Sequence, residues 1–480
     1  MTDAISLDTL APLVAGRVLG DGATLVSDVT HDSRDVRPGS LFAAVRGFVT
    51  DGHQFVGEAV AAGAVALCVE DEAAVPSGQA AIVVPNVREV LGSLASRVHG
   101  DPSATLRIVG ITGTNGKTTV AHLIEAIAAA AGIQQAIIGT VGARINGRPF
   151  PVERTTPEAT DFQRLLAAMV GFGVDIASAE VSSHALALGR VDGTLFEIGA
   201  FTNLSQDHLD FHADMEEYLA AKRSLFDRCR TGVIWVDDAA GRSIAAEASI
   251  PIVRVGTGDD VDVRGRAQVV ALDGSTFDVS GPGGGARMHL QLPGRFNMSN
   301  ALVAAACANA LGISWDTIAD GIGRVASIPG RFEIIPTERE FTVVVDYAHT
   351  PAGVESMVGA ARELVGSGRV IVVAGAAGDR DHNKRPLIGA AAATADIAVI
   401  TSDNPRSENP ETIVAEVAAG AGHDVITVVD RRHAIGAALG LAARGDVVLI
   451  LGKGHERSQE VAGEFLPFDD RQVALEEADR

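Results

Sequence analysis

Short apolar runs alternate along this chain with longer stretches whose apolar positions recur every three to four residues. Uninterrupted apolar runs flanked by helical patterns predict strands buried on both faces, as in a parallel sheet. In the first stretch, runs at 64–69 and 80–84 alternate with helical patterns at 55–62 and 87–98. The breaker-rich His99-Gly100-Asp101-Pro102-Ser103 then reads as a linker. The next stretch places strands at 106–111, 135–138, 176–180, 198–203 and 232–236, a glycine-rich hairpin turn at 280–285 and a long buried helix at 298–311. A second boundary falls at Ser327-Ile328-Pro329-Gly330-Arg331. Beyond it, strands are expected at 341–345, 370–374, 397–401, 425–428 and 447–451, with helices at 352–365 and 410–418. The pattern predicts an α/β protein of three domains: a small N-terminal unit (1–103), a central mostly parallel sheet (104–328) and a C-terminal Rossmann-like unit (329–480).

A chain of 480 residues with 47% apolar content suits several packed cores. Its formal net charge of −22 argues against nucleic acid or an anionic membrane as partner, because both demand a basic surface. Cys68, Cys229 and Cys307 are odd in number and widely spaced, without zinc or redox spacing, and read as buried thiols in a reducing compartment. The first ten residues lack an apolar signal core, and no apolar run is long enough to span a bilayer. The expectation is a soluble, cytoplasmic protein.

Chemistry enters at Gly113-Thr114-Asn115-Gly116-Lys117-Thr118-Thr119, between a strand and a helix. Such a loop turns backbone N–H groups and a helix N-terminus towards an anion. Lys117 reaches outer phosphates and the Thr118 hydroxyl can ligate Mg²⁺. The strict phosphate-loop pattern has glycine where Ile111 stands, so Gly113 must make the tight turn. ATP chemistry is the first hypothesis.

Polar motifs follow other strands. Glu180-Val181-Ser182-Ser183-His184 and the segment from Asn203 to His212 lie where an open α/β sheet binds ligands. Glu180 and His208 can complete metal coordination with Thr118 and phosphate oxygens. Lys222, judged by its own neighbours, reads as a surface helix lysine. In the third unit, the segments Asp346 to Pro351, Gly375 to Arg385, Asp403-Asn404-Pro405-Arg406 and Gly452-Lys453-Gly454-His455-Glu456 follow separate strands. Turn chemistry explains their Gly, Asn and Pro, but not their charges. Arg385 and Arg406 can clamp carboxylates and Glu456 an ammonium, which suits a small zwitterion.

Together these motifs resemble the Mur ligases, ATP-dependent amide-forming enzymes of peptidoglycan assembly. Asp32-Ser33-Arg34, Thr155-Thr156-Pro157, Lys222, Pro293-Gly294-Arg295-Phe296-Asn297 and Gly330-Arg331-Phe332 extend the likeness over nearly the whole chain. The resemblance implies a grip on uridine diphosphate at Ser33, and contacts to a muramoyl dipeptide at Thr155, Thr156, Ser182 and Arg190. It implies ATP binding by residues 113–119 with Asn300, Arg331 and Asp346. It makes Lys117, Glu180, His208 and Lys222 catalytic, with Lys222 carrying a CO₂-derived carbamate that holds a second Mg²⁺. Asp403, Asn404, Pro405, Arg406, Gly452, Glu456 and Arg385 would bind the amino acid. Leu188 departs from a common glutamine, and Ala376 and Ala377 from the usual pair. The implied substrates are UDP-MurNAc-dipeptide and a diamino acid, and the implied state is a monomer.

The loop Asp403 to Arg406 is the pattern of family members that add meso-diaminopimelate. Arg406 can pair with the extra carboxylate of that amino acid and would face a like charge in lysine. Rival readings are the same reaction with lysine, ornithine or another diamine, a folylpolyglutamate-type ligase, and an ATPase switch that turns over without an amino acid acceptor.

Overall fold

Three larger sheets succeed one another along the chain. The computed structural model describes residues 4–480 except 49, 153, 273, 423 and 424. The first sheet has five strands, in the spatial order Arg17–Leu19, Ala80–Val83, Ala66–Val69, Ser40–Ala43 and Asp28–Thr30, all parallel but for the first pair. Helix Val87–Val98 covers it, its first N–H groups capped by the Asn86 side chain and its Leu91, Leu94 and Val98 buried.

The central sheet has eleven strands, more than the apolar runs foretell. Its parallel core holds Arg107–Thr112 between Ile176–Glu180 and Phe196–Phe201. Register sets Glu180 opposite Ile111 and Phe201 opposite Thr112, so the three strands end level and their following loops meet. Antiparallel hairpins extend both edges: Gly142–Ile145 and Arg148–Phe150 on one side, Val263–Ala271, Gly274–Gly281 and Gly284–Leu290 on the other. The expected turn at 280–285 is there, joining the last two. Helices Lys117–Ala130 and Arg295–Ala310 pack on one another and on this sheet. Ala301, Ala304, Ala305 and Ala308 are buried in the second helix, and such small side chains let it approach closely.

The third sheet runs Glu333–Ile335, Thr342–Asp346, Val447–Leu451, Val370–Ala374, Ile397–Ile400, Ile426–Thr427, parallel except at its first pair. The carboxyl ends of the second to fifth strands carry the four charged loops on one edge. Beneath this edge, Arg431 and Asp470 form a fully buried pair, with guanidinium donations of 2.8 and 2.6 Å to the two carboxylate oxygens. Breaking such a pair from one side leaves a charge unpaired in a dry place. Arg431→Ala is therefore expected to cost about 3–5 kcal/mol, measured as the loss of unfolding free energy in urea.

Cys68, Cys229 and Cys307 are buried free thiols, as the sequence suggests. Burial pushes the first two up to about 12 and the third up as well. No helix among the described residues is long and apolar enough to cross a membrane.

Candidate active site

The loop after Arg107–Thr112 opens on Gly113, whose φ of 146° lies in the region that favours glycine. A Cβ there would stand 1.9 Å from Thr202 Oγ1, so Ile111 stays buried in the strand and Gly113 turns the chain. Gly116, with φ of 87°, caps helix Lys117–Ala130 and passes close to Asn300 Oδ1. Lys117 Nζ folds back to donate to the carbonyls of Gly113 and Thr114, each at 2.9 Å.

The Gly113 carbonyl also accepts from Lys222 Nζ at 2.9 Å. Lys222 is only 1% exposed, which corrects the surface reading of this residue. Helix Met215–Arg223 turns Tyr218 and Lys222 to the same inward face, with Nζ 4.3 Å from the Tyr218 ring centre. Burial and then the Lys117 charge drive the Lys222 amine well below its ordinary range, and burial lowers Lys117 too.

Glu180 is the polar centre. Its Oε2 accepts from Thr118 Oγ1 at 3.0 Å and Thr140 Oγ1 at 2.9 Å, and its Oε1 accepts from the Thr140 N–H at 2.9 Å. From the C-terminal unit, Arg331 Nη2 donates to the same Thr118 hydroxyl at 2.9 Å. Asp346 is fixed beneath by the N–H groups of Phe332 and Ala348. Thr155, Thr156, Ser182 and Arg190 gather on the other flank: Thr156 Oγ1 donates to the Glu180 carbonyl at 2.8 Å, and Arg190 pairs with Glu158. These groups line one cleft of about 750 Å³ between the central and C-terminal units. Ser33 does not line it; its hydroxyl faces Glu58 in the N-terminal unit.

His208 adopts a φ of 55° and meets His184 edge-on at 4.7 Å. Its neighbour Asp207 gathers His208 Nε2 at 3.3 Å, Lys384 Nζ at 3.8 Å and His349 Nε2 at 3.9 Å, the last two from the C-terminal unit. Burial would raise this carboxyl, but His349, His208 and Lys384 hold it at about 2. Among the described residues no three His, Cys, Asp or Glu side chains form a ready metal cluster. The oxygens of Thr118 and Glu180 are nevertheless the hard donors that Mg²⁺ prefers.

The loops expected to take the amino acid lie farther along the C-terminal edge. Asn404 is held at both ends, its amide donating to Glu456 at 2.9 Å and its oxygen accepting from buried Lys453 at 2.9 Å. Lys453 Nζ also donates to Glu456 at 2.8 Å. Gly452 has a φ of 118°, which favours glycine, and a Cβ there would stand 2.5 Å from Asp403 Oδ2. Pro405 sits between these residues and Arg406, its carbonyl 1.9 Å from where a Gly378 Cβ would be. Arg385 differs from the expected open clamp. Its fully buried guanidinium donates to both oxygens of Glu408 and to Glu416, so in this conformation its partners are internal.

Burial holds His208 at about 3 and His455 at about 4, so both rings are neutral in the folded chain near neutrality. An unfolded chain protonates them near 6.5. Between those values the unfolded state binds more protons, so stability is lost as pH falls from about 6.5 towards 4. The urea midpoint is expected to drop steadily across that window, and less steeply in His455→Asn. A flat profile would refute the neutral state of these half-buried rings.

Residues 111–308 match the Mur ligase middle domain, 330–454 the Mur ligase, glutamate ligase domain, and 25–99 the Mur ligase family, catalytic domain. A UDP-N-acetylmuramoyl-L-alanyl-D-glutamate–2,6-diaminopimelate ligase of Streptomyces coelicolor is 44% identical over 98% of this chain and 96% of its own length. The chain belongs to the Mur ligase family. The ligase of the same name from Geobacillus thermodenitrificans is also 44% identical, over 92% of this chain and 93% of its own. A solved structure described as that ligase superposes with a TM-score of 0.70 at 32% identity, covering 99% of each chain.

Several side chains in the cleft of this Mur ligase are not singled out by sequence reasoning. Thr140 has the plainest signal, a polar residue directly after a strand that ends level with Glu180. Asp207 and His349 sit inside recognised motifs, yet only the folded chain brings them together. Outside the cleft, Lys453 also sits inside a recognised motif, whereas Glu460 has no signal of its own.

Proposed function

We propose that this Mur ligase joins meso-diaminopimelate to the D-glutamyl γ-carboxylate of UDP-N-acetylmuramoyl-L-alanyl-D-glutamate, with ATP as the driving substrate, in peptidoglycan precursor synthesis. Full-length relatives named for that reaction carry the reading, and a cleft built on Thr118 supports it. The boundaries near 103 and 328, and the residue roles that follow, are part of the proposal.

A carboxylate is a poor electrophile and must be activated. The γ-phosphoryl group of ATP passes to it, giving an acyl phosphate and ADP; the amine attacks the acyl carbon and phosphate leaves. The loop N–H groups and Lys117 receive the phosphates, while Arg331 brings positive charge from across the cleft. Asn300 and Asp346 complete the ATP site. Magnesium, held by Thr118, Glu180 and His208, supplies further neutralisation of the moving charge when bound. Burial drives the Lys222 amine well below its ordinary range, towards the neutral form that adds CO₂ with loss of a proton, and a carbamate there makes it an anionic ligand for a second ion. Thr155, Thr156, Ser182 and Arg190 flank Glu180 to hold the dipeptide, and Ser33 grips the uridine diphosphate. Asn404, Arg406, Glu456 and the Asp403–Pro405 turn orient the amino acid, with Arg385 supporting them.

The test is phosphate release with UDP-muramoyl-dipeptide and, in parallel, meso-diaminopimelate, lysine and ornithine. Turnover with diaminopimelate alone is expected. Arg406→Ala should lower its kcat/KM by about 10²–10³-fold, through loss of a charge pair with the distal carboxylate. Turnover with lysine instead would keep the ligase and discard the role of Arg406; turnover indifferent to any amino acid would point to an ATPase switch.

A further inference from the structure

The loop that carries Arg406 is splinted by a hairpin, Ser458–Val461 with Glu464–Pro467, that the proposed function leaves unused. Arg406 has a φ of 52°, a conformation residues with a Cβ seldom adopt. Two backbone bonds hold it there: its N–H donates to the Glu460 carbonyl at 3.0 Å, and the Ala462 N–H donates to its carbonyl at 2.7 Å. The Glu460 N–H donates to Asn404 Oδ1 at 3.0 Å, and Gln459 Nε2 donates to the Asp403 carbonyl at 2.6 Å. Side chains complete the tie. Arg406 Nε donates to Glu460 Oε2 at 3.1 Å, and Arg406 Nη1 donates to the Gly378 carbonyl at 2.7 Å. The two side chains are 22% and 27% exposed, so the pair is open to an arriving ligand.

We propose that Glu460 is a specificity-determining residue that aims Arg406 at the incoming amino acid and offsets part of its charge. The inference rests on the proposed function of this loop. Among the described residues, contacts at Nε and Nη1 leave Nη2 for a substrate carboxylate. That carboxylate then meets a guanidinium already paired with one acid, and a like charge beside it. A substrate ending in an ammonium meets a cation tempered by the same acid. Glu460 thus improves geometry while softening the preference for a carboxylate-bearing side chain.

Two substitutions separate these effects. Glu460→Gln keeps an oxygen that can accept from Nε but removes the charge; Glu460→Ala removes both. In steady-state assays of the full chain, Glu460→Gln is expected to lower KM for diaminopimelate about 3-fold and raise the diaminopimelate-over-lysine ratio of kcat/KM about 10-fold, whereas Glu460→Ala raises that KM about 10-fold. In an Arg406→Ala background both effects should vanish, which a merely structural glutamate would not produce. An unchanged ratio in Glu460→Gln, or effects that survive without Arg406, would overturn the proposal. Glu460→Gln preserves side-chain shape, so it carries the test even where Glu460→Ala melts early. A wild-type chain that ignores diaminopimelate would instead overturn the proposed function.

Discussion

Lys222→Ala is expected to lower kcat by about 10³-fold while the chain stays folded and still binds ATP. A buried lysine that donates to the Gly113 carbonyl, an acceptor shared with Lys117, is an odd way to place a cation. As a carbamate the same side chain becomes an anion beside the phosphate cradle, and the crowding of two amines disappears. If that is its working form, alanine removes a metal ligand, and a small acid such as formate or acetate should restore part of the turnover by occupying the space. Mass spectrometry of the intact protein at raised bicarbonate would show the adduct directly. Full activity in Lys222→Ala, or no rescue by any small acid together with no adduct, would return Lys222 to a structural role.

Lys117→Met should be as damaging, with kcat reduced about 10³-fold or more. The backbone N–H groups and helix N-terminus survive in this variant, so ATP binding should weaken far less than turnover falls. Calorimetry with ATP, paired with trapping of the acyl phosphate, reads the two steps separately. Retained acyl-phosphate formation would show that Lys117 serves binding alone. Lys117 Nζ donates to the Gly113 and Thr114 carbonyls at the base of this loop, which keeps it beside the phosphate cradle.

The phosphate loop was legible because one local pattern dictates it: an apolar strand, glycines where φ must be positive, then a helix. The convergence of Glu180, Thr118 and the segment from Asn203 was legible for a related reason, since parallel strands that end level deliver their next residues to one place. The edge hairpins were harder. Val263–Ala271 is largely exposed or half-buried, so it lacks the apolar run that marks the core strands. Charged residues were hardest, because composition speaks for exposure while partners are chosen in three dimensions. Lys222 is buried by its helix face, Arg385 is taken up by Glu408 and Glu416, and Arg406 by Glu460. Each partner lies 20 or more residues away in sequence, or on a helix face that spacing alone leaves undecided.

The three buried cysteines have a practical corollary. With thiols pushed to about 12 at Cys68 and Cys229, and raised again at Cys307, the native chain offers no fast nucleophile to alkylating reagents. One cysteine introduced on each lip of the cleft would be labelled ahead of all three. Spin or fluorescent reporters can therefore follow the gap between the central and C-terminal units during turnover, on a background that needs no prior cysteine removal.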